Sequence, residues 1–221
     1  MLGAVKIMRG IDISVYNTDR YKDGKLPWDK IVAAGIDFVI VRTGAGTSLV
    51  DETFQQTVSD AQRYGLKVGA YHYSYALTSS AVTQEAMLCK QILQKTGVYL
   101  DLPVFFDMED GDGYKYRHGF TFSKSNVTNL CKTWLEFIKP YNTGIYASLN
   151  WFENYIDWQS LVAAYQIPVW NAQYSNNDYL QGYIWQFTDK LIIDGNPWDG
   201  NILYDDTHRA GLDPWKVFTQ N

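Results

Sequence analysis

Cysteine and histidine are scarce in this sequence. The 221 residues contain only Cys89 and Cys131, each within a stretch that has helical patterning. Two isolated cysteines build no disulfide framework, so we expect two buried, unpaired thiols. The three histidines, His72, His118 and His208, lack the spacing of metal ligands. The sequence therefore predicts no metal site, and we expect no cofactor.

Long apolar runs and an excess of basic residues are also missing. No window is long and apolar enough to span a membrane, so we expect no membrane insertion. The first ten residues, MLGAVKIMRG, are interrupted by Lys6 and Arg9, which disfavours a signal peptide. The formal net charge of -5 disfavours nucleic acid as a partner, because nucleic-acid binding requires a basic surface.

Aromatic side chains, by contrast, are abundant. The sequence contains 8 Trp and 17 Tyr in 221 residues, a length that usually forms one domain. Sugars present apolar C–H faces and polar edges, which suit rings that combine an apolar face with a polar group. A cleft lined with Trp and Tyr would hold a carbohydrate, although most individual rings are expected in the core. We treat 1–221 as a single domain, with about 205–221 as a C-terminal tail or the start of a linker.

Strand-like and helical patterns alternate over the first part of the chain, which indicates an α/β fold with parallel strands. Strands are predicted at 9–14, 37–44, 67–75, 102–109 and 143–149, and helices near 28–35, 53–65, 79–96 and 123–139. Three further strands are predicted at 167–174, 182–188 and about 198–204, joined by short polar links that favour hairpins. Eight strands, with helices mainly between the first five, indicate an irregular (β/α) barrel.

Two acids leave the fourth predicted strand together. Alternation along a strand places Asp107 and Glu109 on one face and Met108 on the other. Crowding raises the pKa of one acid, so that one is protonated and the other ionised near neutrality. Glycoside hydrolysis needs this division between a proton donor and a negative charge. A salt-bridged or metal-binding acidic turn is the alternative, because Asp110 and Asp112 follow directly.

Acids on two other predicted strands could reach the same cleft. Asp12 lies in the first strand, within GIDIS, and Asp199 begins the last strand, within WDGN. The first and last strands of a closed barrel are neighbours, and barrel enzymes carry their catalytic groups at the carboxyl ends of strands. Asp194 is an alternative acid for the last strand, and we prefer Asp199 for its D-x-N spacing. Considered alone, Asp12 is equally compatible with a cap or a turn.

A series of short motifs follows a particular order along nearly the whole chain. The motifs are GIDIS at 10–14, YHY at 71–73, DME at 107–109, GIYAS at 144–148, VWNAQY at 169–174, WQFT at 185–188 and a late DGN. In this order they resemble the family 25 glycoside hydrolases, the muramidases of phage endolysins, bacterial autolysins and some fungi. The ordered series is more specific than any single motif.

The resemblance implies a flattened, irregular TIM-like barrel. It also implies hydrolysis of the β-1,4 bond between N-acetylmuramic acid and N-acetylglucosamine in peptidoglycan. It implies that Glu109 is the general acid and that Asp107 assists the attacking 2-acetamido group of the substrate. Asp12 and Asp199 match the other cleft carboxylates of the family. The side chains expected along the groove are Tyr71, Tyr73, Tyr146, Trp170, Gln173, Tyr174, Trp185 and Gln186, with core hydrogen bonding as the alternative for the two glutamines.

Two other functions stay open. A chitinase-like hydrolase also uses D-x-E at a strand end, but the longer acidic series D-x-x-D-x-D-x-E is absent, since 101–106 reads DLPVFF. A non-catalytic wall-binding module could keep the barrel as a scaffold, although a binder has no need for paired acids. We expect a monomer that acts on the extracellular cell wall, with peptidoglycan glycan strands as partner. Without a signal peptide, we expect release of the phage-lysin type or a chain that lacks its leader.

Overall fold

The computed structural model describes residues 7–21 and 23–204, which form nine strands and eight helices. The strands are β1 (Ile7–Ile13), β2 (Phe38–Ala45), β3 (Leu49–Val50), β4 (Lys67–Tyr73), β5 (Val104–Asp107), β6 (Thr143–Ser148), β7 (Val169–Ala172), β8 (Ile184–Ile193) and β9 (Asn196–Tyr204). The helices are α1 (Val15–Thr18), α2 (Trp28–Ala33), α3 (Phe54–Arg63), α4 (Ser79–Thr96), α5 (Tyr114–Arg117), α6 (Lys124–Phe137), α7 (Leu149–Asn154) and α8 (Trp158–Tyr165). The predicted tail at 205–221, with His208, lies outside the described residues.

Eight of these strands close into a barrel, in the order β1-β9-β8-β7-β6-β5-β4-β2, with β2 pairing back to β1. Neighbouring strands are parallel from β1 and β2 round to β7 and β8. Strand β9 runs antiparallel to both of its neighbours, and the short β3 pairs only with the end of β2. An α/β barrel with one reversed strand confirms the predicted fold class and accounts for its irregularity.

Side chains of the barrel strands alternate between two apolar layers. Inward-pointing residues such as Phe38, Phe105 and Trp170 fill the interior. Outward-pointing residues pack against the helices: Phe106, next to Phe105, stacks on Trp134 of α6 with ring centroids 4.6 Å apart. The filled interior makes the barrel a solid support for the polar side chains at its carboxyl end.

Capping residues mark the ends of the longer helices. The Thr78 side chain accepts a hydrogen bond from the backbone N of Ala81 at the start of α4, and Ser123 does the same for Asn126 at the start of α6. Gly97, with a φ of 63°, ends α4 in the left-handed conformation. The four predicted helices are confirmed as α2, α3, α4 and α6, with ends that differ by a few residues.

The second half of the barrel differs from prediction in two ways. Helices α7 and α8 connect β6 to β7, where the pattern predicts no helix; each buries one residue, Phe152 or Leu161, so no helical repeat marks them. The hairpin predicted between β7 and β8 is wrong, because these strands are parallel and residues 173–183 return from the end of β7 to the start of β8. Strands β8 and β9 do form a hairpin, whose turn residues Asp194 and Gly195 have positive φ angles of 51° and 73°.

The two cysteines lie on helices that pack against the barrel. Cys89 on α4 and Cys131 on α6 are buried and unpaired, as the sequence predicts. Burial raises the pKa of each thiol to about 12, which keeps both in the unreactive protonated form. Among the described helices, none has the length and apolar character needed to cross a membrane.

Candidate active site

A cavity of about 230 Å³ opens at the carboxyl ends of the parallel strands. Asp107 and Tyr73 are the last residues of β5 and β4. Asp199 reaches the same end because β9 runs the other way and places it directly opposite Asp12 of β1. The side chains that line this cleft are Asp12, Tyr71, Tyr73, Asp107, Glu109, Tyr146, Trp170, Tyr174, Gln186 and Asp199. All four acids singled out from the sequence are in this set.

Asp107 and Glu109 enter the cleft from the end of β5. The strand ends at Asp107, so Glu109 lies in the turn beyond it. Both side chains line the cleft, while Met108 between them is buried against the helices, as strand alternation predicts. Among the described residues, Oδ1 of the buried Asp107 has no hydrogen-bond partner. A carboxyl oxygen in this state is available to a ligand.

The pKa values of both acids are raised. Burial raises the pKa of Asp107 well above its ordinary range, and the neighbouring Glu109 raises it further. Burial is also the largest cause of the raised pKa of Glu109, and Asp112 and Asp199 add to it. The ammonium group of Lys115 opposes both shifts. Two acids that crowd one buried space cannot both ionise freely, so the pair retains a proton more readily than isolated carboxyls would.

Two amides hold Asp12 in place. Its Oδ2 accepts hydrogen bonds from Nε2 of Gln186 and Nδ2 of Asn201, each at 2.8 Å. Oδ1 of Asn201 in turn accepts a hydrogen bond from Nε1 of Trp170 at 2.8 Å. Burial, with the charge of Asp199 opposite, raises the pKa of Asp12 well above its ordinary range. The chain of hydrogen bonds fixes this carboxyl group at one wall of the cleft.

The last strand contributes Asp199, and not Asp194, to the cleft. Asp194 lies exposed in the turn between β8 and β9. Asp199 is half-buried beside the other acids, and burial raises its pKa to about 6, with Asp189 adding to the shift and Arg20 opposing it. The structure therefore places the acid of the D-x-N sequence at the site and the alternative acid outside it.

Aromatic rings form the floor and the rim. Trp170 is an almost fully buried floor residue, with its ring centroid 4.4 Å from that of Tyr146 and 6.0 Å from that of Tyr71. Oε1 of Gln186 accepts hydrogen bonds from the hydroxyl groups of Tyr146, at 2.9 Å, and Tyr174, at 3.2 Å. Tyr174 is 58% exposed at the rim, where its ring can contact a ligand.

Trp185 and Gln173 do not line the cleft. Trp185 points to the outer face of β8, because its neighbours Ile184 and Gln186 point inward; it is 0% exposed, and its Nε1 donates to the carbonyl oxygen of Gln173 at 2.8 Å. The expectation that Trp185 contacts a substrate is wrong. Oε1 of Gln173 accepts a hydrogen bond from the backbone N of Tyr179 at 3.1 Å, which ties the loop after β7. This hydrogen bond is internal to the protein, but it lies in an exposed loop and not in the core that was the alternative expected for Gln173.

Asp110 and Asp112, which follow the acidic pair, bind backbone N–H groups at the start of α5. The carboxylate of Asp110 accepts hydrogen bonds from the backbone N of Lys115, at 2.6 Å, and of Tyr116, at 3.0 Å. Oδ1 of Asp112 accepts one from the backbone N of Tyr114 at 2.9 Å. These bonds stabilise the start of α5. Within residues 7–21 and 23–204, no group of three or more His, Cys, Asp or Glu is placed to hold a metal ion.

Sequence reasoning missed three residues that shape the site. Asn201 could have been found, because it lies two residues beyond Asp199 on the same strand face. Gly111 lies in the turn after β5 and Lys115 on the four-residue α5 that follows, and no periodic pattern marks either residue. A Cβ atom on Gly111 would lie 3.1 Å from Oε1 of Glu109, so the missing side chain leaves room for that carboxyl group.

Comparison with known proteins identifies the family to which this arrangement belongs. The family model described as glycosyl hydrolases family 25 matches residues 11–196. The chain belongs to glycosyl hydrolase family 25. Lysozyme M1 of Streptomyces globisporus is 23% identical over 175 residues, covering 76% of this chain and 55% of that protein. The chain therefore spans about half the length of this curated relative.

Solved structures share the family 25 barrel. The modular autolysin LytC from Streptococcus pneumoniae, in complex with a synthetic peptidoglycan ligand, superposes with a TM-score of 0.76 at 20% identity, covering 90% of this chain and 47% of that one. A family 25 glycosyl hydrolase from Bacillus anthracis gives a TM-score of 0.70 at 18% identity, covering 93% and 92%. These likenesses concern the fold, and the cleft residues are assigned from the geometry of this chain.

Proposed function

We propose that this family 25 protein is an N-acetylmuramidase, a lysozyme that hydrolyses the β-1,4 bond between N-acetylmuramic acid and N-acetylglucosamine in bacterial peptidoglycan. The observation that carries the proposal is the pair Asp107 and Glu109 in one buried cleft, both with raised pKa values. Glycoside hydrolysis requires one protonated and one ionised acid beside the scissile bond. The lysozyme from Streptomyces globisporus and the peptidoglycan ligand of the LytC structure support the choice of substrate.

Glu109 is the general acid of the proposed reaction. It lies in the turn beyond β5, and burial favours the protonated form that can give its proton to the leaving glycosidic oxygen. Asp107 lies at the strand end with one unpartnered oxygen, Oδ1. We assign it to the substrate's 2-acetamido group, whose positive charge it stabilises as the acetamide oxygen attacks the anomeric carbon. Water then opens the cyclised sugar, and ionised Glu109 accepts a proton from that water.

The rest of the cleft holds the glycan. The net charge of -5 provides no general attraction for an anionic polymer, so we assign binding to rings and hydrogen bonds. Tyr71, Tyr73 and Tyr146 offer apolar faces and hydroxyl groups inside the cleft, and Tyr174 offers its ring at the rim. We infer that a single copy of the chain acts in this way on the extracellular wall.

Mass spectrometry of fragments released from purified bacterial cell walls tests the proposal. A muramidase leaves N-acetylmuramic acid at the new reducing ends. Reducing-end N-acetylglucosamine, or free amino groups alone, would show that the proposed bond specificity is wrong. Glu153→Gln, which changes an exposed residue on α7, is the matched control for Glu109→Gln and should release the same fragments as wild type.

An assay with the same purified cell walls distinguishes the two alternative functions from the proposed one. Wild-type protein that binds walls without releasing fragments would be a wall-binding module. Protein that cleaves chitin oligosaccharides and leaves walls intact would be a chitinase-like hydrolase. Either outcome contradicts the muramidase proposal.

A further inference from the structure

Lys115 occupies an uncommon place for a lysine, beneath the cleft. It lies on the short α5, and 1% of its surface is exposed. Its Nζ donates a hydrogen bond to the carbonyl oxygen of Glu109 at 2.7 Å and another to the carbonyl oxygen of Ser74. Lysines are almost never fully buried unless they are paired. Lys115 therefore ties the turn after β5, which carries Glu109, to the residue that follows β4.

Negative groups surround this buried side chain. Burial lowers the pKa of Lys115, and the carboxyl groups that oppose this shift are those of Glu85, Asp107, Asp110 and Glu109. Both hydrogen-bond partners of Nζ are carbonyl oxygens, whose partial negative charge favours the ammonium form. The ring of Tyr73 lies 5.8 Å from Nζ and also favours a cation. The surroundings are built to hold a positive charge away from water.

The same charge acts on the two acids of the cleft. Lys115 lowers the pKa of Asp107 and that of Glu109, against the burial that raises both. For Glu109 it is the largest influence after burial. Arg42 is a second buried cation and also lowers the pKa of Asp107, but its Nε is engaged with Asp51 at 3.2 Å. Lys115 is thus the cation whose hydrogen bonds reach the Glu109 main chain itself.

We propose that Lys115 is a positioning residue of this active site, which fixes the main chain of Glu109 and keeps a positive charge behind Asp107 and Glu109. The inference rests on the proposed glycosidase function and deepens it. It adds a residue that touches no substrate and acts through the two acids. In this role Lys115 keeps Asp107 ionisable in a space where burial alone would hold both acids in their neutral forms.

The proposal predicts the direction of a pH shift. The acid limb of the activity profile follows ionisation of Asp107, and the alkaline limb follows deprotonation of Glu109. Without the positive charge both pKa values rise, so both limbs move to higher pH, by roughly one unit. The other groups that face the two acids stay unchanged in the variants; they are Asp12, Arg42, Tyr73, Asp110, Asp112, Tyr146, Tyr174 and Asp199.

Three substitutions separate charge from anchoring. Lys115→Met removes both, Lys115→Gln keeps an amide donor without charge, and Lys115→Arg keeps the charge. Lys90→Met is the matched control, because Lys90 also donates to two carbonyl oxygens, those of Phe137 and Lys139, and none of these residues lines the cleft. We expect the profiles of kcat/KM against pH to move for the Met and Gln variants. They should stay in place for Lys115→Arg and Lys90→Met.

Carboxyl titration by NMR, on protein with isotope-labelled Asp and Glu, is a second readout that needs no substrate. It separates the two proposals. Inactive wild type contradicts the proposed function, whereas unshifted titrations of Asp107 and Glu109 in Lys115→Gln contradict the role of Lys115. A variant that is slower, but whose pH profile and carboxyl titrations are unchanged, has lost only the hydrogen bond that anchors the Glu109 main chain, and this result overturns the proposal. A shift in Lys115→Arg equal to that in the neutral variants also overturns it.

If the neutral variants do not fold, a measurement on the wild-type protein tests the proposed role of Lys115. NMR titration of isotope-labelled lysine reports the protonation of Lys115 directly. The proposal requires the ammonium form to persist through the pH range in which Glu109 titrates. Deprotonation of Lys115 below that range overturns it.

Discussion

At Glu109, an acidic proton that can be transferred distinguishes the carboxyl group from the amide of glutamine. Glu109→Gln keeps the size of the side chain and removes the proton that the leaving oxygen needs. We expect kcat to fall by about 10²–10⁴-fold, the usual contribution of a general acid, with little change in glycan affinity. Turnover is measured on wall suspensions, affinity by calorimetry with a soluble glycan, and folding by circular dichroism. A folded variant with near wild-type turnover would remove Glu109 from this role.

Asp107 differs from Glu109 because its charge, and not its proton, is what the proposed reaction uses. Asp107→Asn should therefore be nearly as damaging to kcat, since the neutral amide cannot stabilise the cationic cyclised sugar. A thiazoline analogue of that sugar should inhibit wild type, and the first product should retain its anomeric configuration, as NMR of the fresh product shows. A glycosyl ester on Asp107, detected by intact-protein mass spectrometry, would contradict attack by the acetamide. An inverted product would make Asp107 a base for water.

Strand alternation is reliable for single residues only inside strands. It places Asp107 and Asp12 correctly, because both lie on strands whose neighbours are apolar. The same rule shows why the expectation for Trp185 fails: Trp185 and Gln186 are adjacent on β8, so only one can face the cleft. Lys115 lies on α5, a helix too short to show a helical period, and its burial depends on the fold around it.

At the scale of elements, Glu85 links α4 to the end of β4. Its buried carboxyl group accepts hydrogen bonds from Oγ of Ser74 and the backbone N of Tyr75, each at 2.8 Å. Burial raises its pKa from the ordinary value of 4.5 to about 7. Between these pH values the native protein binds more protons than the unfolded chain, so this group makes the free energy of unfolding fall as pH rises.

Glu85→Gln should remove that dependence on pH. The variant's stability relative to wild type should increase by about 3 kcal/mol, at most, between pH below 4.5 and pH above 7. Urea unfolding at the two pH values measures the change. Glu153→Gln, which changes an exposed residue on α7, is measured alongside as the matched control. Parallel stability curves for Glu85→Gln and wild type would show that the pKa of Glu85 is the same in the folded and unfolded states, which contradicts the prediction.

The helices also show which secondary-structure elements the sequence pattern can predict and which it cannot. Helix α4 could be predicted, because Val82, Ala86, Cys89 and Leu93 recur at helical spacing on its buried face. Helices α7 and α8 follow β6 closely and are short, and packing on the barrel compensates for their weak pattern. The tertiary structure therefore decides their presence.

For the molecule as a whole, strand patterning predicts the barrel, but the direction of the later strands rests on their short links, which correctly indicate the β8–β9 hairpin and wrongly indicate one between β7 and β8. A period of two is the same in parallel and antiparallel strands, so alternation alone does not show that β9 is reversed. The two-residue turn of Asp194 and Gly195 reverses it. That reversal brings Asp199 opposite Asp12, and so part of the cleft depends on a turn at the far end of the hairpin.

The pairing of β1 with β9 also decides when the cleft can exist. Ile7 pairs with Tyr204, so the first and last described strands meet across almost the whole described chain. A ribosome adds about 5–20 residues per second, which leaves β1 without its second neighbour for on the order of ten seconds or more. Asp12 lacks both Asp199 and the amide of Asn201 throughout that time. We therefore expect the wall of the cleft formed by Asp12 and Asp199 to be absent until β9 has been synthesised and pairs with β1.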